Sequence, residues 1–259
     1  HSVWSATGHL LFARDGAILA APFDPRTATV RGTAVPVIPA GASGSTDSIE
    51  RSRRPDRPGL RALLKLGATD VLPLFGTGDG EWDRTMFLAL ARFDGAPCVV
   101  LGNDRRAERS EPSLSPSGLR VARRGMRLAT ELGLPFVSVI DTAGAALSKE
   151  AEEGGMAGEI ARCLADLVAL EVPTLCVLLG QGTGGGALAL MPADRVLAAQ
   201  HSWLSPLPPE GASAILFRTA DRAPELAAQQ RVRSVDLLAD GIIDRIVAEE
   251  PDAADEPEA

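Results

Sequence analysis

The sequence predicts an α/β domain, a parallel sheet covered by helices, with a short N-terminal β-hairpin extension. Two observations carry that fold class. From residue 86 onward, continuous apolar runs of strand length alternate with stretches of helical periodicity, the pattern of a parallel sheet buried on both faces. In addition, a dense glycine turn, Gly180-Gln181-Gly182-Thr183-Gly184-Gly185-Gly186-Ala187, directly follows an apolar strand and directly precedes a helix.

The elements follow in chain order. Apolar runs at 8–13 and 17–23 flank Arg14-Asp15-Gly16, and Asp-Gly between such runs signals a hairpin. Residues 29–31 add a further short strand. The run 8–37 resembles one blade of a TolB-like or WD40-like propeller. One blade cannot bury its own faces and no second copy is present, so residues 1–39 read as a hairpin extension. The Gly/Ser-rich stretch AGASGSTDS (40–48) reads as a linker.

The α/β domain is placed at 49–248. It opens on a basic stretch (Arg51, Arg53, Arg54, Arg57, Arg61) and an amphipathic helix at 60–66. Strands at 86–93 and 98–102 are joined by Asp94-Gly95. A helix at 117–132 has Ser117 as N-cap, Gly133 as C-cap, and an apolar stripe of Leu119, Ala122, Met126, Ala129 and Leu132. A buried strand at 136–141 leads to one long helix at 150–170, with Ile160, Leu164, Leu167 and Val168 facing in. A second buried strand spans 174–179, then a helix at 184–191 and strands at 195–199 and 202–204. Helices at 211–218, 223–232 and 234–240 precede a last strand at 241–247. Residues 249–259 read as a disordered acidic tail.

Asp and Glu (34) outnumber Lys and Arg (26), for a net charge of -8. Six of those acids lie in 249–259, which leaves the body at only -2, with 26 bases against 28 acids. The acidic balance argues against nucleic acid or an anionic membrane as partner. No apolar run approaches the ~20 residues that span a bilayer. No charged-then-apolar leader opens the chain, which starts at His1 and so reads as a fragment or a processed product. Cys98, Cys163 and Cys176 are dispersed in apolar stretches. They read as buried free thiols of a reducing compartment, and the localisation expected is cytoplasmic. With no C-x-x-C pair, no metal is expected in this chain.

Three segments place small residues at the end of a strand and the start of a helix, where ligands bind in α/β layers. They are the glycine turn, Asp141-Thr142-Ala143-Gly144-Ala145, and the rigid turn Ser205–Ser213, which contains Pro208-Pro209-Glu210-Gly211. Glycines let a backbone approach a ligand closely, and the helix start offers unpaired N–H groups. Phosphate binding and oxyanion stabilisation both use that arrangement. Gly180-x-Gly182-x-x-Gly185 matches the dinucleotide fingerprint, but no ribose-binding acid follows about twenty residues on, and no P-loop Lys is present.

Together these segments resemble the biotin-dependent acyl-CoA carboxyltransferases, most closely the alpha subunit of bacterial acetyl-CoA carboxylase carboxyltransferase. The stretches that carry it are ALARFDGAPCVVLG (89–102), GLRVARRGMRLATELGLPFVSVIDTAGA (118–145), AEEGGMAGEIARCLADLVALEVPTLCVLLGQGTGGGALAL (151–190), PEGAS (209–213) and GIIDRIV (241–247), with RSRRPDRPGL (51–60) like the family's opening segment. They are collinear over about four-fifths of the chain. The resemblance implies a ClpP/crotonase-like fold and carboxyl transfer from carboxybiotin, held on a separate biotin carboxyl carrier protein, to acetyl-CoA or propionyl-CoA.

It implies Gly185, Gly186 and Ala187 as the catalytic backbone donors, stabilising the biotin or enolate anion. Gly182, Thr183, Gly184, Thr142, Ala143, Gly144, Glu210 and Gly211 are implied as substrate- or biotin-binding positions. In this family an active site forms between two such domains. A beta-type CoA-binding carboxyltransferase domain, acyl-CoA and an oligomer are therefore the expected partners. The chain departs from the pattern at Thr183-Gly184, where the family has Gly-Ser, at Ala143, where it has Pro, and in the shortened loop Ala146-Leu147-Ser148-Lys149.

Competing readings are specific. A crotonase-type hydratase or decarboxylase needs carboxylates beside the oxyanion hole, with Glu152, Glu153 and Glu210 available. A peptidase needs a serine beside His201, from Ser138, Ser202, Ser205 or Ser213. A non-catalytic, partner-binding carboxylase subunit is the third. Asp141 serves either the site or as a cap of the following helix. Arg120, Arg123, Arg124 and Arg127 read as a solvated helix face, with CoA phosphates as the alternative partner.

Overall fold

The computed structural model describes residues 2–4, 9–14, 17–24, 27, 29–30, 35–38, 45–108, 113–253 and 255–256. Contacts divide the chain into two units, His1–Gly44 and Ser45–Ala259.

The first unit is an antiparallel sheet of β1 (Ser2–Trp4), β2 (His9–Arg14), β3 (Ala17–Asp24), β4 (Thr29–Val30) and β5 (Val35–Ile38). The β2–β3 register pairs Arg14 with Ala17, so a two-residue connection joins them. Its Asp15-Gly16 lies outside the described residues. The unit exceeds the expected hairpin, because β1 and β5 add to it; neither is long enough to show a period in sequence.

The second unit opens with α1 (Ser45–Arg53), so the segment read as a linker to residue 48 is already helical at its end. Then come α2 (Leu60–Gly67), β6 (Thr69–Leu74), β7 (Met86–Phe93), β8 (Ala96–Asn103), α3 (Arg105–Glu108), α4 (Pro116–Leu132), β9 (Phe136–Thr142), α5 (Lys149–Glu153), α6 (Met156–Val168), β10 (Thr174–Thr183), α7 (Gly184–Leu188), β11 (Arg195–Ala199), β12 (Trp203–Ser205), α8 (Pro209–Phe217), α9 (Ala223–Gln229), α10 (Ser234–Ala239) and β13 (Arg245–Val247).

These strands form one sheet in the order β13-β11-β10-β9-β8-β7-β6, with β12 also paired to β10. Pairing is parallel from β8 to β13 and antiparallel through β6, β7 and β8. The sheet is therefore mixed: the expected parallel part runs from β8 to β13, and the β7–β8 hairpin and β6 add antiparallel strands at one edge. Asp94 (φ 49°) and Gly95 (φ 80°) form the expected two-residue turn between β7 and β8.

Alternation along each strand sends side chains to two cores. Met86, Leu88, Val99, Leu101, Ile140 and Leu178 join α4 and α6 on one face. Phe87, Ala89, Ala91, Val100 and Val139 meet Leu60 and Leu64 of α2 on the other. A third, small cluster packs Ile49 of α1 against Trp203, Ala227 and Val232.

Helix ends differ from expectation for identifiable reasons. Ser115, with Pro116 at the first turn, caps α4 in place of Ser117, and Gly133 closes it at φ 63°. The long helix read over 150–170 is two helices, since Gly155 turns to φ 80° and begins α6 anew. Leu132 is 50% exposed at the last position of α4 and Val168 73% exposed at that of α6, so neither faces the core.

On the arginine face of α4, Arg120 and Arg123 are ion-paired and not simply solvated, while Arg127 is exposed as expected. Buried Glu159 of α6 accepts from Arg120 at 3.3 Å and Arg123 at 3.5 Å. Arg120 also holds Glu81 (2.6 Å), Arg123 holds Asp166 (2.6 Å), and Arg124 donates to the carbonyls of Phe75 and Gly76. Periodicity reports a polar face; only packing shows that α6 brings acids to it.

The acidic tail also differs, within its described residues. Glu249 pairs with the buried Arg57 at 2.8 Å, Asp252 with Arg51 (2.8 Å) and His201 (2.7 Å), and Asp255 with Arg51 and Arg54. Opposite charges 200 residues apart in sequence give no local signal of this pairing. Among the described residues no helix is long and apolar enough to cross a membrane.

Leu101, wholly buried at the centre of the larger core, gives a direct test of this packing. Leu101→Ala is expected to cost about 2–5 kcal/mol in unfolding free energy by chemical denaturation.

Candidate active site

Parallel pairing brings the ends of β9, β10 and β12 to one edge of the sheet. Gly182 lies opposite both Thr142 of β9 and Leu204 of β12, and Thr183 opposite Ser205. The three glycine- and proline-rich segments singled out in sequence thus leave the sheet side by side.

The turn itself begins at Gly184, which takes φ +62°, a conformation costly for any side chain. It starts α7, so the N–H groups of Gly184, Gly185 and Gly186 stand in a first turn where the helix supplies no acceptor. Gly184 and Gly185 are partly exposed, whereas Gly186 and Ala187 are buried. A Cβ at Gly186 would lie 3.0 Å from the Ala145 nitrogen, 3.2 Å from Leu114 Cδ2 and 3.3 Å from the Gly144 carbonyl carbon. At Gly185 it would meet Ile160 Cδ1 at 2.8 Å, and at Gly182 Leu204 Cδ1 at 2.8 Å. The glycines let the turn lie flat against the loop after β9.

That loop is held in place by its own residues. The Gly144 N–H donates to Thr142 Oγ1 at 3.1 Å, Gly144 takes φ +121°, and the Ala146 N–H donates to the Leu114 carbonyl at 2.9 Å. Thr142 and Gly144 are buried and Ala143 is exposed.

Beneath both loops sits Asp141, 2% exposed. It does not cap the following helix. Its Oδ1 accepts the Gln181 N–H at 3.0 Å and its Oδ2 faces Arg105 Nη1 at 3.2 Å, and Asn103 Oδ1 accepts its own N–H at 3.3 Å. A Cβ at Gly180 would collide with the Asp141 carboxylate. Burial pushes the Asp141 carboxyl up, against the pull of the Arg105 guanidinium. The desolvation of a 2% exposed group outweighs one ion pair.

On the other side of the turn, Arg53 of α1 donates from Nε to Gln181 Oε1 at 2.9 Å and from Nη1 to Glu210 Oε1 at 2.6 Å. Its guanidinium lies 5.5 Å from the centre of the Trp203 ring. Arg53 holds the Glu210 carboxyl below the usual carboxylate range. Glu210 is therefore joined to the turn through Arg53. A Cβ at Gly211 would meet Leu207 and Pro208 of its own segment at an ordinary 3.6 Å, so this glycine is not forced by space. Arg53, Arg105 and Gln181 carry this site and were passed over as site residues in sequence. Arg53 lies in the basic stretch over 51–61 and Gln181 inside the glycine run, but neither position, nor Arg105, carries a local pattern that names its partner.

The alternatives meet specific obstacles. The Ser138, Ser202, Ser205 and Ser213 hydroxyls donate to the carbonyls of Leu190, Ala199, Leu207 and Thr219, and His201 Nε2 lies 2.7 Å from Asp252. No serine–histidine pair forms among the described residues. Glu152 and Glu153 are exposed on α5, Glu153 facing Lys149 at 3.5 Å. No carboxylate pair of hydratase type stands at the turn among the described residues. Those residues also hold no cluster of metal-ligating side chains.

Residues 44–259 match the family described as "Acetyl co-enzyme A carboxylase carboxyltransferase-like". The chain belongs to that family. A probable biotin-dependent acyl-coenzyme A carboxylase beta3 subunit of Mycobacterium bovis is 63% identical over 211 residues, covering 82% of this chain and 42% of the relative. An acetyl-coenzyme A carboxylase carboxyl transferase subunit alpha of Sphingopyxis alaskensis is 40% identical over 204 residues, covering 76% of this chain and 65% of the relative. This carboxyltransferase-family chain thus spans less than half the length of the mycobacterial relative. Among solved structures, transcarboxylase 12S shares the fold at a TM-score of 0.67 and 19% identity, over 83% of this chain and 45% of that one. The fold is the crotonase-like one.

Two outcomes test this geometry. Gly186→Ala presses on backbone and is expected to lower stability by about 1–3 kcal/mol, whereas Gly185→Ala meets a mobile Ile160 methyl and costs less; thermal melts compare them. Glu210→Gln removes a carboxylate held below its ordinary pKa. The wild type's advantage, up to about 1 kcal/mol, is present above pH ~4.3 and fades as pH falls through the folded-state value. Melts of both proteins from neutral to acid pH read it.

Proposed function

We propose that this chain is the carboxyltransferase half-site of a biotin-dependent acyl-CoA carboxylase. It moves a carboxyl group from carboxybiotin, carried on a separate biotin carboxyl carrier protein, to acetyl-CoA or propionyl-CoA. A second, CoA-binding domain of beta type completes the site, in an oligomer. The observation that carries the reading is the glycine turn laid against the loop after β9, with partly exposed Gly184 and Gly185 and first-turn N–H groups lacking a helical acceptor.

At Gly182 and Gly186 an added Cβ would press on Leu204, Leu178, the Ala145 nitrogen and Leu114, so the turn packs backbone-close on its neighbours and leaves its partly exposed Gly184 and Gly185 to face a ligand. Carboxybiotin supplies the activated carboxyl group when bound. Everything else falls to the backbone. The N–H groups of Gly185 and Gly186 point donors at an oxygen that gains negative charge, and the dipole of the α7 start adds to the field; the N–H of Ala187, a turn further on, has the Thr183 carbonyl as its helical acceptor. Thr183, Gly182 and the Thr142–Gly144 loop form the wall against which that oxygen is placed. No side chain on this edge is required to carry a proton. The charged side chains nearby are already engaged: Asp141 accepts the Gln181 N–H and faces Arg105, and Arg53 donates to the Gln181 side chain and to Glu210.

The assay is malonyl-CoA-dependent carboxylation of free biotin, with this chain alone and with a separately supplied beta-type domain. Transfer is expected in the pair and not in either part. Gly185→Ala, still folded by circular dichroism, keeps the N–H but shifts the turn through its contact with Ile160 and is expected to slow transfer. A folded chain that transfers nothing in any pairing would overturn the enzyme reading in favour of a partner-binding subunit. Hydration of crotonyl-CoA without biotin would replace it with the hydratase.

A further inference from the structure

On its way to the glycine turn, β10 does not pair continuously with its neighbours. From Leu178 opposite Ile140 to Gly182 opposite Thr142 it advances four residues while β9 advances two, so β10 carries a bulge at residues 179–181. On its other side, pairing with β11 stops at Leu178 opposite Ala198, and pairing with β12 starts at Gln181 opposite Trp203. Leu179 and Gly180 therefore fall outside the register on both sides, in the middle of a sheet. Backbone there needs other partners, because a buried N–H or C=O is costly to leave unpaired.

Buried side chains supply them. The carboxylate of Asp141, the β9 residue opposite the bulge, accepts the Gln181 N–H at 3.0 Å. Arg57, whose side chain is 2% exposed, donates from Nη2 to the Leu179 carbonyl at 2.9 Å. Each is itself fixed from behind. Asp141 faces Arg105 at 3.2 Å and donates its own N–H to Asn103 Oδ1 at 3.3 Å, and both Nη atoms of Arg57 reach Glu249 at 2.8 Å. Gly180 makes the arrangement possible, since a Cβ there would overlap the Asp141 carboxylate. A bulge re-aims the backbone that follows it. The direction in which α7 starts at Gly184 is thus set at residues 179–181.

We propose that Asp141 and Arg57 are positioning residues for carboxyl transfer: they take the place of the missing strand partners at 179–181 and so hold the glycine turn at the angle its N–H donors need. Both act through backbone, Asp141 on Gln181 and Arg57 on Leu179. Their effect on transfer presupposes the carboxyl-transfer reading, whereas their effect on the turn does not. Position is a sensitive lever, since a displacement of about 1 Å can cost ~10²-fold in rate.

Three variants test it. Asp141→Asn keeps an acceptor for the Gln181 N–H and loses the charge that faces Arg105, and Asp141→Ala loses both. Arg57→Lys keeps a charge for Glu249 and loses the planar fork that also reaches the Leu179 carbonyl. In the carboxyl-transfer assay with the beta-type domain, kcat is expected to fall about tenfold or more in Asp141→Ala and Arg57→Lys, and less in Asp141→Asn. The KM values for malonyl-CoA and biotin are expected to stay within about twofold of wild type. Hydrogen exchange of the chain alone, read by mass spectrometry, is expected to quicken over residues 179–188 in all three, with β7 and β8 unchanged. A raised KM with kcat intact overturns the proposal. So does exchange over 179–188 that matches wild type in the folded Asp141→Asn and Arg57→Lys chains, or that quickens equally across the sheet. If the wild-type pair transfers nothing, the carboxyl-transfer reading fails, and exchange alone decides whether these residues hold the turn.

Discussion

The carboxylate of Asp141 is the contact on which the candidate site rests. It is buried at the end of β9, it accepts the N–H of Gln181 just ahead of the glycine turn, and it faces Arg105 from the α3 side. An ion pair in such a place gains little net stability, because both charges lose water, but breaking it strands a buried charge. Its effect is geometric. It fixes how far β10 runs past β9, and so where the first-turn N–H groups of α7 stand relative to the Thr142–Ala145 loop. Gly180 is glycine because this carboxylate occupies the space a side chain would need.

The same logic extends outward through arginines. Arg53 joins α1 to Gln181 and Glu210, Arg57 joins the residues before α2 to Leu179 and Glu249, and Arg51 and Arg54 take up Asp252 and Asp255. Segments at both ends of the second unit are thereby stitched to the strand that carries the glycine turn. Arginine suits this role, since a planar fork holds two acceptors at once where an ammonium holds its partners less directionally. The chain has 24 arginines and two lysines, and these contacts use that preference whatever its origin.

Membership of the carboxyltransferase family accounts for the economy of the edge. The turn is built of small residues, and the charged groups near it are already paired, Asp141 with the Gln181 N–H and Arg105, and Arg53 with the side chains of Gln181 and Glu210.

Much of this was legible from residue order alone. Apolar continuity marked β9 and β10, Asp94-Gly95 marked the hairpin, and the glycine run marked the turn, because each depends on neighbours within a few positions. So too did the presence of Thr142, Gly144 and Gly182–Ala187 at strand ends. Local patterns said nothing about which distant charges would meet. The solvated face assigned to Arg120 and Arg123 is paired through Glu159, the free acidic tail is bound by α1, and the supposed linker end is itself α1. Gln181, Arg53 and Arg105 escaped notice for the same reason: their roles arise from partners roughly 30 to 160 residues away. Backbone conformation is written in short-range sterics, whereas long-range electrostatic pairing exists only once the sheet has set the strands side by side.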